Sequence, residues 1–280
     1  ETTKVEVGGE DSVHLMSTVW DAETGTVVPN SAVGVTVERD GETVAERGSL
    51  WSMLSQNMGV HAGDNVVLDG DGTYDVQLAI GPVSARRTGA FRDRFGERVT
   101  ASFTLEFAQS DLEDISFERL TDQQGERGAV DPMEMEMVPV ASTPGPEEMP
   151  GTVLAEPGSG DATFVVARLD SPPAGIDESG AYLAVSARTP YNAYPLPMMT
   201  LSATVSRGGG NGDGSGESVF DGTLGEAIDP DLGYHYGAVV PGLESGDDLV
   251  LSVESPPQIS RHEGYETAFL SMPDLSLTVE

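Results

Sequence analysis

The chain has no cysteine, and only one of its fourteen basic residues is a lysine, Lys4. Without cysteine, disulfides, zinc–thiolate sites and cysteine nucleophiles are all excluded. No run of about 18 apolar residues offers a membrane-spanning helix. Gly-x-Ser-x-Gly, phosphate-loop and His-Glu-x-x-His motifs are missing too, and carboxylates are so abundant that no pair of them marks an active site, so an enzyme is not expected. Cations are scarce: 47 acidic residues face 14 basic ones, for a formal charge of -33. Such a surface repels nucleic acid and anionic lipid. It fits a halophilic, archaeal type of protein solvated in molar salt, where screening relieves the self-repulsion of the carboxylates. Disorder is not the reading of this acidity, because 38% of residues are hydrophobic and apolar alternation recurs along the chain.

What is present is organised as an internal repeat. "VHLMSTVWDAETGTVVPNSAVGVTVERD" from Val13 lies over "AYLAVSARTPYNAYPLPMMTLSATVSRG" from Ala181 without a gap. After a glycine-rich insertion at 208–216, "GVHAGDNVVLDGDGTYD" lies over "GYHYGAVVPGLESGDDL", with His61 on His235, Pro82 on Pro257 and Gly89 on Gly264. Each copy alternates with period two, as in Val33/Val35/Val37, Tyr74/Val76/Leu78/Ile80 and Leu249/Leu251/Val253, the pattern of half-buried antiparallel strands. Turn signals between the runs recur at the spacing of a sandwich. The expected fold is all-β: two tandem immunoglobulin-like β-sandwiches, residues 1–110 and 161–280, joined by a Pro/Gly-rich linker over 111–160.

Two of the four histidines sit in the frame Gly-x-His-x-Gly, as "GVHAG" and "GYHYG", and the others are His14 and His262. Imidazole with thioether sulfur suits copper, and imidazole with carboxylate suits iron, manganese or zinc. Met53 and Met58 are close to His61 in sequence. Three readings stand side by side. The first sandwich binds a soft ion through His14, His61 and Met53, with Met16 or Met58 in reach. Alternatively the two units dock as an internal pseudo-dimer and pool His14, His61, His235 and His262. In the third, the frame is a glycine-shaped turn and the methionines fill core gaps. Of the remaining features, "LDGDGTYD" reads as a hairpin turn and not a calcium loop. "MEMEM" would place Met133, Met135 and Met137 on one strand face. Arg86, Arg87, Arg92 and Arg94 form a basic patch for carboxylates of the protein itself or for the acidic second unit. Tyr191, Tyr194 and Tyr236 are candidates for a recognition surface or for strand-end packing.

Taken in order, "HLMSTVWDAETGTVVP", "LWSM", "MGVHAGDNVVLDGDGTYDVQLAIGP" and "RRTGAF" resemble the extracytoplasmic metal-binding family of bacterial iron transport, over residues 13 to 107 and more weakly over 181 to 280. The resemblance implies a periplasmic or lipid-anchored sandwich, often a homodimer, that binds copper or iron and serves a membrane transporter; an anchor would lie in a removed N-terminal segment. It also implies a ligand set that falls on His14, Met53, His61 and Arg87 in the first unit, and on Tyr182, no methionine, His235 and His262 in the second. Met16 stands where that pattern has a carboxylate. A non-metal structural or protein-interaction module is the alternative.

Overall fold

The computed structural model describes every residue except 1, 2, 5, 7, 114–120, 124–129, 134, 209–215 and 280. In the first sandwich the strands are β1 (Val13–Ser17), β2 (Ser31–Arg39), β3 (Glu42–Arg47), β4 (Trp51–Ser55), β5 (Gly59–Val66), β6 (Gly72–Val83), β7 (Arg86–Arg87) and β8 (Val99–Phe107). All but β7 form two sheets, β1-β5-β4 and β3-β2-β6-β8, while β7 joins the sheet of the second sandwich. Alternation decides the packing: Val33, Val35, Val37, Tyr74 and Val76 project from one sheet against Val66, Leu68 and partly buried Leu15 and Ala62 of the other side. Because β5 and β6 belong to different sheets, Asp69–Gly72 is a connection between sheets and not a hairpin turn. The Arg39 guanidinium donates to the carbonyls of Asp69 and Asp71, and the Tyr74 hydroxyl donates to that of Gly70, so the backbone of this corner is satisfied.

The second sandwich comprises β9 (Thr152–Ala155), β10 (Gly158–Ser159), β11 (Ala162–Leu169), β12 (Ala181–Arg188), β13 (Thr200–Arg207), β14 (Glu217–Asp229), β15 (Gly233–Val240), β16 (Asp248–Ser255), β17 (Ser260–Arg261) and β18 (Leu275–Thr278). Strand β14 changes sheets at its middle, with Glu217–Leu224 paired to β13 and Gly225–Asp229 to β15. Part of the expected linker is therefore sandwich: β9 and β10 both pair with β11, and Ala141 and Met149 are buried. Proline and glycine there cut the strands short without preventing packing, as edge positions allow. The three methionines of "MEMEM" do not share a strand face, since a turn follows Met135 and Met137 is 82% exposed.

The sandwiches meet reciprocally. Strand β7 of the first pairs in parallel with β14 of the second, and β17 of the second pairs in parallel with β4 of the first. Thr88 donates its amide to Ile228 O at 2.9 Å, and His262 donates its amide to Leu54 O at 3.1 Å. Leu54, Val60, Val27 and Ala85 belong to the same buried cluster as Leu183, Tyr194 and Tyr236, so the second core runs on into the interface. Each fully buried leucine or valine there contributes about 1.5–3 kcal/mol. Tyr194 and Tyr236 are thus core residues, and only Tyr191 of the three tyrosines is exposed. The basic patch is divided: Arg94 pairs with Asp21 and Glu23 and Arg92 with Asp93 within the first sandwich, while Arg86 and Arg87 lie along Ala227 and Ile228 of the second.

Candidate metal centre

Strand β1 turns Val13 and Leu15 toward the first core, which leaves His14 and Met16 on the opposite face. On that face the pairing with β5 sets His14 opposite Asn65 and Met16 opposite Gly63, while pairing with β4 sets Met53 opposite His61 and Trp51 opposite Gly63. Strand β17, laid along β4, sets Ser260 opposite Met53, and His262 follows two residues on. Three imidazoles from two sandwiches meet there. His61 and His262 have their Nε2 atoms 3.3 Å apart and ring centroids 5.2 Å apart, and the ring of His14 is 6.2 Å from that of His262.

The glycines of the Gly-x-His-x-Gly frame have separate tasks. Gly59 turns the chain at φ 68°, and its carbonyl lies 3.0 Å from His61 Nδ1. A carbonyl only accepts, so Nδ1 carries the proton and Nε2 keeps its lone pair for the centre. Burial pushes His61 down to about 4, the Gly59 carbonyl opposing this and the other two imidazoles adding to it, so at neutral pH the ring is an uncharged donor. His14 is oriented in the same manner, its Nδ1 2.7 Å from Asn65 Oδ1. Gly63 supplies space: a Cβ there would lie 3.1 Å from both His14 Nε2 and Met53 Sδ. The two donors converge over a position in the strand that has no side chain. Gly63 and Asn65 are the residues that the reading of motifs missed; once His14 is aligned with Asn65, the alternation of "HAGDN" places both beneath the first histidine.

These residues suit a soft metal ion. Two nitrogens each about 2.0 Å from a tetrahedral ion lie about 3.3 Å apart, which is the separation of His61 Nε2 and His262 Nε2. Three imidazoles and a thioether are a copper set, but among the described residues no three His, Asp or Glu side chains, these imidazoles included, are gathered closely enough to hold an ion as they stand. Asp64, the nearest acid on β5, faces the other way in a 3.2 Å pair with Arg47. His14 stands off in solvent, so closing the shell takes a rotation of this exposed ring. Met16, 44% exposed, and Trp51, 61% exposed, flank the centre across Gly63. Met58 is not brought in; it occupies the β4–β5 turn, where its amide donates to Ser55 Oγ. Gly63→Ala keeps an extended residue in an extended strand yet displaces both donors. Copper affinity is expected to fall about 10-fold with an unchanged circular dichroism spectrum, and an unchanged Kd would show that the convergence over Gly63 is not used.

The second sandwich repeats the geometry with other residues. Ala227 stands opposite His235 as Met53 stands opposite His61. Tyr182 stands opposite Val239 as His14 stands opposite Asn65. Arg86 and Arg87 lie along Ala227 and Ile228 as Ser260 and Arg261 lie along Met53 and Leu54. The counterpart of His262 is therefore Thr88, not Arg87. The offset between the frames holds from His61 to Arg87, and matching Gly89 with Gly264 adds one residue; the left-handed pair is Gly89 and Glu263. His235 does not join the three imidazoles. It is fully buried, with Nδ1 3.0 Å from Gly233 O and Nε2 3.1 Å from the Tyr182 hydroxyl. Burial pushes the phenol well up, so it stays protonated and donates to Nε2. The tyrosine fills this place: a Cβ on Gly237, the counterpart of Gly63, would lie 2.1 Å from its oxygen.

Residues 10–110 match the model of the family described as Fe2+ transport protein, and residues 147–278 match that of a domain of unknown function, DUF7350. A comparison with curated proteins returned no match. Among solved structures, the chain is similar to FetP of uropathogenic Escherichia coli strain F11, as isolated after recombinant expression in the periplasm. The identity is 17% over 45% of this chain and 92% of that one, with a TM-score of 0.35. It is likewise similar to a copper-bound variant of the same FetP, with 17% identity over 46% of this chain and 90% of that one and a TM-score of 0.36. The first sandwich thus matches that family model across nearly its whole length, and His14, Met53 and His61 lie within the matched residues while His262 lies outside them.

Proposed function

We propose that this protein binds one soft metal ion, copper before iron, outside the cytoplasm and passes it to a membrane transporter. The observation that carries the reading is the meeting of His14, Met53 and His61 of one sandwich with His262 of the other. Support for copper comes from the donors, which are three imidazoles and a thioether with no carboxylate among them. A carrier rather than an enzyme is the reading this set supports: once His14 has rotated in, four protein ligands would leave a tetrahedral ion no open position for a substrate. The location and the transporter rest on the family match of residues 10–110. No helix among the described residues is long and apolar enough to cross a membrane.

The two sandwiches are copies of one unit fused as an internal pseudo-dimer. Left-handed positions recur in matched places, at Asn30 and Met198, Gly59 and Gly233, Gly89 and Glu263, and Phe95 and Phe269. One of the two equivalent sites has been retained and the other closed by Tyr182. The direct test is calorimetry in molar salt with Cu(II), with Cu(I) under anaerobic reduction and with Fe(II), on the wild type and on His61→Ala and Met53→Ala. One equivalent of copper per chain is expected, tighter than iron, with Trp51 fluorescence quenched in step. No saturable binding would leave the protein as a non-metal interaction module, and saturable binding that survives His61→Ala would overturn this site.

A further inference from the structure

Sheet β3-β2-β6-β8 ends on two strands of different character. Edge strand β3, "ETVAER", has charges at Glu42, Glu46 and Arg47 and faces a register shift between Val37 and Glu38. Both devices protect an edge from pairing with another chain. Edge strand β8, "VTASFTLEF", has no register shift and little charge. It runs for nine residues and pairs with β6 over nine successive positions, Gly72–Ile80, without a shift. It contains one charge, Glu106, in a chain of which 22% is charged. Val99 is 60% and Phe103 47% exposed although they share the face of the buried Tyr74 and Val76. Among the described residues nothing pairs with the outer edge of β8. The other terminal strands of the sheets are short: β1, β10 and β18 have five, two and four residues.

We propose that β8 is the contact through which two copies of this chain associate, antiparallel and edge to edge about a twofold axis at Ser102. Side-chain alternation allows only registers in which paired residues share a face. An axis at Ser102 sets Val99 opposite Leu105, Ala101 opposite Phe103 and, at both ends, Arg98 opposite Glu106. Moving the axis to Phe103 keeps the faces matched but leaves Arg98 opposite Ala108. Charge complementarity between Glu106 and Arg98, the residue just before the strand, therefore selects the Ser102 register and a second copy as occupant, since the segment from Arg98 to Glu106 is self-complementary. Each copy carries a formal charge of -33, so association strengthens as salt shortens the screening length to about 3 Å at 1 M. The inference is independent of the metal reading.

Sedimentation equilibrium across a salt series, on the full chain, tests it. A dimer whose Kd tightens with salt is expected. Arg98→Glu or Glu106→Arg alone should weaken it at least about 10-fold, and the combined exchange should restore it to within about 3-fold. Near-UV circular dichroism verifies the fold of each variant. A monomer at every salt concentration overturns the proposal, and so does a dimer indifferent to both single changes. Loss in the single variants without recovery in the double overturns the register.

Discussion

His262→Ala is expected to weaken copper binding at least about 100-fold even though this residue lies two hundred positions from His61, while His235→Ala changes it less than about 2-fold. The two histidines belong to the same sandwich, so the contrast separates the reciprocal strand pairing from a binding domain acting alone. His262 reaches the centre because β17 lies on β4 and its own amide is held by Leu54 O. Its imidazole nitrogen is 3.3 Å from that of His61. His235 has no such exit, since Tyr182 occupies its Nε2. Calorimetry gives the two constants, and thermal denaturation distinguishes lost ligation from lost structure. With copper at about 100 times its Kd the wild type gains about 2.7 kcal/mol, a gain that His262→Ala should lose and His235→Ala should keep. His235→Ala should instead destabilise the metal-free protein, because a buried phenol loses its acceptor at a cost of about 1–3 kcal/mol. Equal losses of affinity in the two variants would point to a pooled four-histidine site; no loss in His262→Ala would confine the centre to the first sandwich.

Much of this arrangement was legible in the residues. Period-two alternation and turn spacing indicate tandem all-β sandwiches, and the paired Gly-x-His-x-Gly frames indicate equivalent positions in each. The residue order offered a site pooled between the units as one of three readings, but could not show that His262 crosses between sandwiches while His235 does not. Crossing depends on a two-residue parallel pairing, Ser260 with Met53 and Arg261 with Leu54, too short to leave a periodic signature. A one-residue error had the same origin. Matching glycine to glycine put the counterpart of His262 on Arg87, whereas the backbone matches Gly89 with Glu263, a non-glycine held at φ 47°. Composition misled at 152–159, where proline and glycine bound short strands that pack on β11. The alternation in "MEMEM" carried no strand because no apolar surface awaits its methionines, and Met137 is left 82% exposed. The role of Gly63 emerges only when His14 and Met53, 39 residues apart, are placed on strands either side of it.

If Tyr182 closes a site equivalent to the first, restoring the ligands should reopen it. The variant Thr88→His, Tyr182→His, Ala227→Met puts three donors back at matched registers around His235, completing a set of four, and copper stoichiometry is expected to rise from one to two per chain. Much of the scaffold is already in place. Gly233 turns at φ 65° and holds His235 Nδ1 as Gly59 holds that of His61, and Gly237 leaves the same empty position in the strand as Gly63. The obstacle is Asp229, which now accepts from the Thr88 hydroxyl at 2.8 Å. A histidine at that position must leave this carboxylate to the amides of Asp231 and Leu232, which it already accepts. Replacing a fully buried tyrosine also opens space, and a loss of about 2–4 kcal/mol in the metal-free state is expected, recovered in part on loading the second ion. Adding His235→Ala should return the stoichiometry to one, whereas adding His61→Ala should leave the new equivalent and remove the old. A folded variant that still binds a single equivalent, at the His61 centre, would mean that matched register does not make matched sites, and that the second sandwich serves only to carry His262.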